Sequence, residues 1–300
     1  MTTDPRTAGG RALFAAALPV AAMALFVLAA WYAGAVWLNA PQAADALTRA
    51  GAEWSFADLV RQTLAMKRPI LPTPDQVAVD LHQSLTGYPV THIRNLLYHT
   101  GVTAGSALTG FAMGVVLGVA LAAGIVQVRT LEASLLPWVI ASQTIPILAI
   151  APMIVVILGN LGFTGLLPKA VISMYLCFFP ITIGMVKGLR SADPLTLDLM
   201  RTYSAGTART FLLLRLPASL PFLFASLKVA IAASVVGAIV GELPTGGQAG
   251  LGARLLSGSY YGQTVQIWSA LVMSALLSVG LVLLVGLAER ALVRGPGATR

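Results

Sequence analysis

Charge is scarce in this chain of 300 residues. Charged residues make up 10% of it, hydrophobic residues 57%, and the mean hydropathy is +0.83. Soluble domains carry about 25% charged residues, so this composition excludes an ordinary soluble domain and indicates an integral membrane protein. The net charge is still +8, because most of the charged side chains are Lys or Arg. These cations flank apolar runs, which indicates membrane topology and contact with anionic lipid, not nucleic acid.

Cysteine is nearly absent too. Cys177 is the only one and lies in an apolar run, which excludes a disulfide within the chain and a metal site built on cysteines. The histidines His82, His92 and His99 are irregularly spaced, and no i,i+4 pair faces a carboxylate as a metal site requires. We therefore expect solvated or interfacial histidines, no metal and no catalytic residue.

Long apolar runs are what the sequence has instead. A transmembrane helix needs about 20 mainly apolar residues. Six runs qualify, at about 13–38, 103–127, 134–158, 168–188, 219–243 and 266–288. The first is about twice as long as the apolar part of a secretory signal and carries Trp31 and Trp37 at its far end, so we interpret it as a retained span.

The distribution of Lys and Arg predicts the orientation. If the N-terminus is cytoplasmic, the cytoplasmic side holds Arg6, Arg11, Arg129, Lys187, Arg190, Arg201, Arg209, Arg215, Arg290, Arg294 and Arg300. The positive-inside rule therefore predicts that both termini are cytoplasmic. The segment 39–102 is then extracytoplasmic, and its stretches ADLVRQTLAMKR and PDQVAVDLHQSL predict two amphipathic helices.

The second to fourth runs predict closely packed and broken helices. Pro137, Pro146, Pro152 and Pro180 interrupt the third and fourth spans. The pattern Gly110-x-x-x-Gly114-x-x-x-Gly118 places small residues on one face of the second span, which allows close helix packing within one subunit or at a dimer seam.

A polar, basic insert, DPLTLDLMRTYSAGTARTFLLLRLP (residues 193–217), separates the fourth and fifth runs. Asp193 followed by Pro194 predicts a helix start. The apolar residues of this helix then share one face, and Thr207 predicts the cap of a second helix that ends at Leu216-Pro217. Between the helices, Ser204-Ala205-Gly206 predicts a turn, with Gly206 in a left-handed conformation.

The polar insert resembles the EAA loop of binding-protein-dependent ABC importer permeases, E-A-A-x3-G-x9-I-x-L-P. Anchored on Leu216-Pro217, this pattern places its Glu, two Ala, Gly and Ile at Asp198, Leu199, Met200, Ser204 and Leu214. The turn sequence Ser-Ala-Gly departs from the Gly-Ala-Ser of many such loops, as if the turn glycine were displaced to Gly206. ILPTPDQV, SQTIPILAIAPMIVVILG and LPASLPFLFASLKVAIAASVVGAIVGE extend the resemblance to the nitrate, sulfonate and taurine group, which includes pyrimidine and riboflavin systems.

The resemblance implies an all-α, MetI-like type I permease of six transmembrane helices, in a bacterial inner membrane. It implies a core at 70–292, after an N-terminal tail, first span and extracytoplasmic segment at 1–69 and before a cytoplasmic tail at 293–300. Its partners would be ABC ATP-binding subunits, a second permease copy, identical or related, and an extracytoplasmic binding protein. No G-x-x-x-x-G-K-[ST] motif occurs, so ATP and Mg would be bound by the partner and no cofactor by this chain.

The same resemblance implies that the polar insert couples to the ATP-binding subunit through Asp198, Leu199, Met200, Tyr203, Ser204 and Gly206. Two further candidates are charges at membrane depth. Lys228 either snorkels to the headgroups or lines the pathway, and Glu242 is either an interfacial group or part of a gate. The solute would be small and polar, a pyrimidine-like nutrient or a sulfonate- or nitrate-type anion, with a lean toward the pyrimidine class.

Three other classes compete with this interpretation. A secondary transporter, working without ATP, is expected to show inverted repeats and ionisable groups near mid-span, where only Lys228 qualifies. An intramembrane enzyme needs clustered acids, histidines or an activated nucleophile, and G-x-S-x-G does not occur. A purely structural membrane protein has no need of so many broken helices.

Overall fold

The chain folds entirely into helices and turns over the part that the computed structural model describes, residues 5–51, 53–244 and 249–293, with side chains from residue 18 to 292. The helices are α1 Pro5–Arg49, α2 Phe56–Leu64, α3 Pro74–Thr86, α4 Leu96–Gln127, α5 Arg129–Ala141, α6 Ile147–Asn160, α7 Leu166–Leu189, α8 Pro194–Thr202, α9 Thr207–Thr210, α10 Leu216–Glu242, α11 Leu251–Tyr260 and α12 Thr264–Val293. The all-α prediction is confirmed. Of the predicted tail at 293–300, residues 294–300 lie outside the described residues, as do the side chains of Arg6 and Arg11.

Helices long and apolar enough to cross a membrane recur along the described chain. Five are single helices: Leu18–Arg49, Leu96–Gln127, Leu166–Leu189, Thr207–Glu242 and Thr264–Leu292. A sixth crossing is reached only if α5 and α6, bent by 103° relative to each other, form one broken span. The predicted count of six therefore holds with this pair taken as one crossing.

The run at 134–158 breaks at Pro146, one of the four prolines predicted to interrupt the third and fourth spans. A short 3₁₀ turn follows α5, and Ile145 is extended (φ −86°, ψ 121°) before α6 begins. Proline lacks an N–H and pushes the preceding residue out of the helical region, so the chain turns there. Pro137, Pro152 and Pro180 lie inside α5, α6 and α7 without ending them.

The chain forms two compact units. The first contains α1, α2, α3 and residues 257–269. The two predicted amphipathic helices are confirmed here: Ser55 caps α2 in a capping box with Asp58, and Thr73 precedes Pro74 at the start of α3. The hydrogen bonds from the side chain and backbone of Ser55 hold the pKa of Asp58 below its usual value.

The core of the first unit includes a polar contact on α1. Asn39 is fully buried; its Nδ2 donates to Leu71 O (2.8 Å) and its Oδ1 accepts from Ile70 N (2.7 Å). Trp31 adds an Nε1–H···O bond to Pro72 O (2.9 Å). These bonds satisfy the backbone of the turn before α3 and hold it against α1.

The second unit, residues 88–256 and from 270 on, is built around α4, α7 and α10. A Cβ on Gly110, Gly114 or Gly118 of α4 would lie 2.3, 2.7 or 2.8 Å from a side-chain carbon of Ser173, Cys177 or Ile181 of α7. These glycines therefore allow α4 and α7 to pack almost backbone to backbone. Of the two uses that the pattern left open, the structure shows packing within one subunit.

Two of the same α7 residues, Ser173 and Cys177, also contact α10. Ser173 Oγ donates to Ser234 O (2.9 Å), and Cys177 Sγ donates to Ala230 O (3.1 Å). A Cβ on Gly184 of α7 would lie 2.6 Å from Ser226 Cβ. A Cβ on Gly188 would lie 2.9 Å from the Cβ atoms of Ser219 and Phe222. The three helices thus form one tightly packed core that positions the polar insert at one end and Glu242 at the other.

Candidate functional site: the polar insert and the Glu242 cluster

The polar insert starts as the sequence predicts. Asp193 is the N-cap of α8, where its Oδ2 accepts from Thr196 N (3.2 Å), and Pro194 occupies the first helical position. Proline is favourable there because the first N–H groups of a helix have no partner within it. The start of α8 is confirmed.

The turn after α8 differs from the prediction. Ser204 has φ +53°, whereas Gly206 has φ −64° and ψ 165° and is the N-cap of α9. Ala205 N donates to Met200 O (2.9 Å) and Ser204 N to Arg201 O (2.8 Å), the two bonds of a Schellman motif with Ser204 as its left-handed residue. The prediction that Gly206 carries the left-handed turn is wrong. Ser204 holds that place, and it aligns with the glycine of the EAA pattern.

The second helix of the polar insert also differs from the prediction. Thr207 is its first helical residue, with no capping bond from its side chain, and the helix does not end at Leu216-Pro217. Residues 211–215 form a π-helical turn, closed by Leu216 N donating to Phe211 O, and the chain continues directly into α10. The wider turn accommodates Pro217, which lacks an N–H and would crowd the preceding α-helical turn. One helix therefore runs from Thr207 to Glu242.

The outer face of α8 is apolar and exposed. Leu195, Leu199 and Tyr203 are 79%, 52% and 77% exposed and lie four residues apart, which aligns them in one stripe. Met200, predicted on this face, is half-buried instead. Sequence reasoning missed Leu195, although its spacing from Leu199 and Tyr203 could have revealed it.

The far side of α8 is polar. The exposed side chains of Asp198 and Arg201 form an ion pair there, with Nη1 2.8 Å from Oδ1. The helix is therefore amphipathic, with an apolar stripe on one face and a charged pair on another.

Lys228 has an ionic partner in the second unit. Its Nζ donates to Glu289 Oε2 on α12, and the two side chains are 37% and 21% exposed. The ion pair, not snorkelling alone, therefore accounts for this cation at depth. Sequence reasoning missed Glu289 because the last span was predicted to end at residue 288.

Glu242 is fully buried within the second unit, at the end of α10. Its Oε1 accepts from Thr103 Oγ1 (2.8 Å) and its Oε2 from Gly252 N (2.7 Å). Thr103 Oγ1 in turn accepts from Leu251 N (2.9 Å). The carboxylate is thus held by α4 and by the first turn of α11.

His99 completes this Glu242 cluster, which we define as Glu242, Thr103, His99 and the amides of residues 250–252. The ring is 2% exposed; Nδ1 accepts from Gly250 N (3.0 Å) and Nε2 lies 2.6 Å from Ile93 O. A neutral ring with its proton on Nε2 satisfies both contacts. The expectation of a solvated or interfacial histidine is wrong for His99, because α4 begins at Leu96 and places the ring inside the fold; His82 and His92 are exposed.

Lys169, within the predicted run 168–188, is a further buried charge. It lies in the first turn of α7 and is 7% exposed. Lys228 and Glu242 are 14 residues apart on α10, about 21 Å along the helix. They do not contact each other, and each has its own partners. Within the described residues, no group of three or more His, Cys, Asp or Glu side chains is placed to hold a metal ion.

Comparison with known proteins assigns the family. The family described as "Binding-protein-dependent transport system inner membrane component" matches residues 114–296. The chain belongs to this family. The "Probable ABC transporter permease protein" of Haemophilus influenzae is 33% identical over 209 residues, 70% of this chain and 80% of its own length.

Two of the relatives are named for a heterocyclic solute. The riboflavin transport system permease protein of Chloroflexus aurantiacus is 35% identical over 228 residues, 75% of this permease and 80% of its own length. The formylaminopyrimidine transport permease protein of Halalkalibacterium halodurans is 32% identical over 186 residues, 61% and 68%. The family match includes the polar insert, Lys228 and Glu242, so all three belong to the family region of this permease.

Proposed function

We propose that this permease is the transmembrane subunit of an ATP-driven importer and that α8 docks onto an ATP-binding subunit. The exposed stripe Leu195, Leu199 and Tyr203 carries the proposal, because three large exposed apolar side chains aligned along α8 and its C-cap are typical of a binding surface. Burying one such side chain stabilises a complex by about 1.5–3 kcal/mol. Members of this family are transporters, so the partner would bind ATP and Mg and hydrolyse the ATP.

The other predicted coupling residues take separate roles in this proposal. Asp198 would exchange its pairing with Arg201 for a cation of the partner or keep it, and Met200 would support the stripe from its half-buried side. Ser204 and Gly206 would set the direction between α8 and the helix that begins at Thr207.

The remaining partners follow from the same proposal. A second permease copy, identical or related, would complete the pathway, and an extracytoplasmic binding protein would deliver the solute. The polar insert and both termini would be cytoplasmic in a bacterial inner membrane, as the positive-inside rule predicts. Cysteines placed at Ser55 and Thr207 in a Cys177→Ser background should then react from opposite sides; reaction from one side would overturn the orientation.

We infer that the solute is a pyrimidine-like heterocycle, since two of the relatives are named for riboflavin and formylaminopyrimidine transport. Proteoliposomes holding the whole transporter and its binding protein should take up such a heterocycle when ATP is inside. Competition by a pyrimidine but not by an alkanesulfonate or nitrate is expected. Competition by the anions alone would overturn the assignment.

The docking of α8 is tested by Leu199→Asp with Tyr203→Asp. We expect normal amounts of permease, loss of the co-purifying ATP-binding subunit and loss of solute-stimulated ATP hydrolysis. Thr207→Asp with Ala208→Asp adds the same two charges to the polar insert away from the stripe and should retain the partner. Full transport by the first variant would refute the coupling role and favour the ATP-independent secondary transporter.

A further inference from the structure

The backbone at the start of α11 is hydrogen-bonded to side chains of two of the long helices. Three consecutive amides, those of Gly250, Leu251 and Gly252, donate to His99, Thr103 and Glu242 in that order. Leu251 is fully buried. The amides in the first turn of a helix normally donate to water or to a capping side chain. Here they donate to three side chains from α4 and α10.

Two glycines are required by this arrangement. Gly250 has φ +125°, and a Cβ on it would lie 2.3–2.5 Å from the Glu242 carboxyl atoms. A Cβ on Gly252 would lie 2.5 Å from Ile239 O and 2.9 Å from Glu242 Cβ. The backbone of α11 is thus packed directly against the end of α10.

The other end of the same helix is the polar insert. The helix from Thr207 to Glu242 has 36 residues, about 54 Å at 1.5 Å per residue, with a π turn but no break. Close glycine contacts fasten it to α7: a Cβ on Gly237 would lie 2.6 Å from Ser173 Cα, and one on Gly241 3.0 Å from Lys169 Cα. The polar insert and Glu242 are therefore joined by one continuous helix that is packed against α7.

We propose that Glu242 is a positioning residue of the transport cycle: it fastens α11 to the far end of the helix that begins at the polar insert. Movement imposed on the polar insert is transmitted through this helix and the Glu242 cluster to α11 at the opposite end of the core. This inference rests on the proposed function, because it takes the polar insert to be the element on which the ATP-binding subunit acts.

The attachment itself is tested by hydrogen exchange in residues 249–256. Thr103→Val removes the donor to Glu242 and the acceptor of Leu251 N, whereas Thr103→Ser keeps both. Thr109→Val is the matched control, since among the described residues the Thr109 hydroxyl donates to Gly105 O of its own helix and to no group of the Glu242 cluster. We expect exchange at least tenfold faster in Thr103→Val and in Glu242→Gln, and wild-type exchange in the other two. Unchanged exchange in both would overturn the attachment.

Transmission is tested in the whole transporter, as the ratio of solute-stimulated to basal ATP hydrolysis. We expect Thr103→Val and Glu242→Gln to retain the ATP-binding subunit and the basal rate while the ratio falls at least fivefold, and Thr103→Ser to restore it. A purely structural role lowers the yield and leaves the ratio unchanged, so a wild-type ratio together with faster exchange would overturn the proposal. Failure of the wild-type chain to bind an ATP-binding subunit would instead refute the proposed function, and this inference with it.

Discussion

Substituting Gly110 by Ala tests the close packing of α4 on α7. An added Cβ would lie 2.3 Å from Ser173 Cβ and 2.4 Å from Ala170 O, well inside ordinary contact distances. The second neighbour is a backbone oxygen and cannot rotate away, so α4 has to move away from α7. Ser173 is also joined to Ser234 O of α10, which extends the disturbance to a third helix.

The size of the effect follows from three contributions. Overpacking of this kind costs about 1–3 kcal/mol, and loss of the Ser173–Ser234 hydrogen bond costs about 1 kcal/mol. Alanine in a helix interior returns about 0.5–1 kcal/mol relative to glycine. The net loss of stability for Gly110→Ala is therefore about 1–3.5 kcal/mol.

The matched control is Gly101→Ala, on the same helix but with no atom within 4 Å of the added carbon. It should be neutral or stabilising by about 0.5–1 kcal/mol, so the two variants should shift in opposite directions. Thermal unfolding in detergent, followed by the fraction that remains monodisperse, should place Gly110→Ala several degrees below wild type. Equal midpoints for the two variants would refute the intramolecular seam, and loss of a dimer without loss of stability would place these glycines between subunits.

Two further predictions concern the ion pair at depth and the turn of the polar insert. Lys228→Met should lower the yield of folded permease, because it leaves Glu289 without this cation. The double variant Lys228→Met with Glu289→Gln should recover the yield. Equal yields of the single and double variants would show that the ion pair contributes nothing. Ser204→Gly should stabilise the polar insert by about 1 kcal/mol, because glycine adopts the left-handed conformation without strain. Gly206→Ala should be tolerated, since nothing lies within 4 Å of its added carbon. Proteolysis within the polar insert should be slower for Ser204→Gly than for wild type, and faster proteolysis would contradict the prediction.

Local signals in the sequence predicted much of the polar insert. Asp193-Pro194 identified the start of α8 because an N-cap acceptor and a proline at the first helical position act within four residues. The turn was located but assigned to the wrong residue. Glycine is the usual left-handed residue, yet the Schellman bonds depend on where α8 stops, which places Ser204 at that position.

The Glu242 cluster was out of reach of such reasoning. Thr103 and Gly252 are 139 and 10 residues from Glu242 in the chain, and His99 lies in a segment that the pattern assigned to the exterior. No periodicity relates these positions. They meet because α4, α7 and α10 pack closely at glycine contacts. A buried carboxylate needs hydrogen-bond donors, and this packing places them beside it.

The sequence by itself determined the class of protein, the spans and the family. Hydropathy, proline and short motifs act over a few turns of chain, and apolar runs are stable in the hydrocarbon core of the membrane whatever the tertiary packing. Only the tertiary structure decided which glycines form a seam, that the fifth span continues into the polar insert as one helix, and which partners Lys228 and Glu242 have. Those outcomes depend on the distances at which helices pack. A change of a few tenths of an ångström between backbones determines whether a hydrogen bond or a clash results.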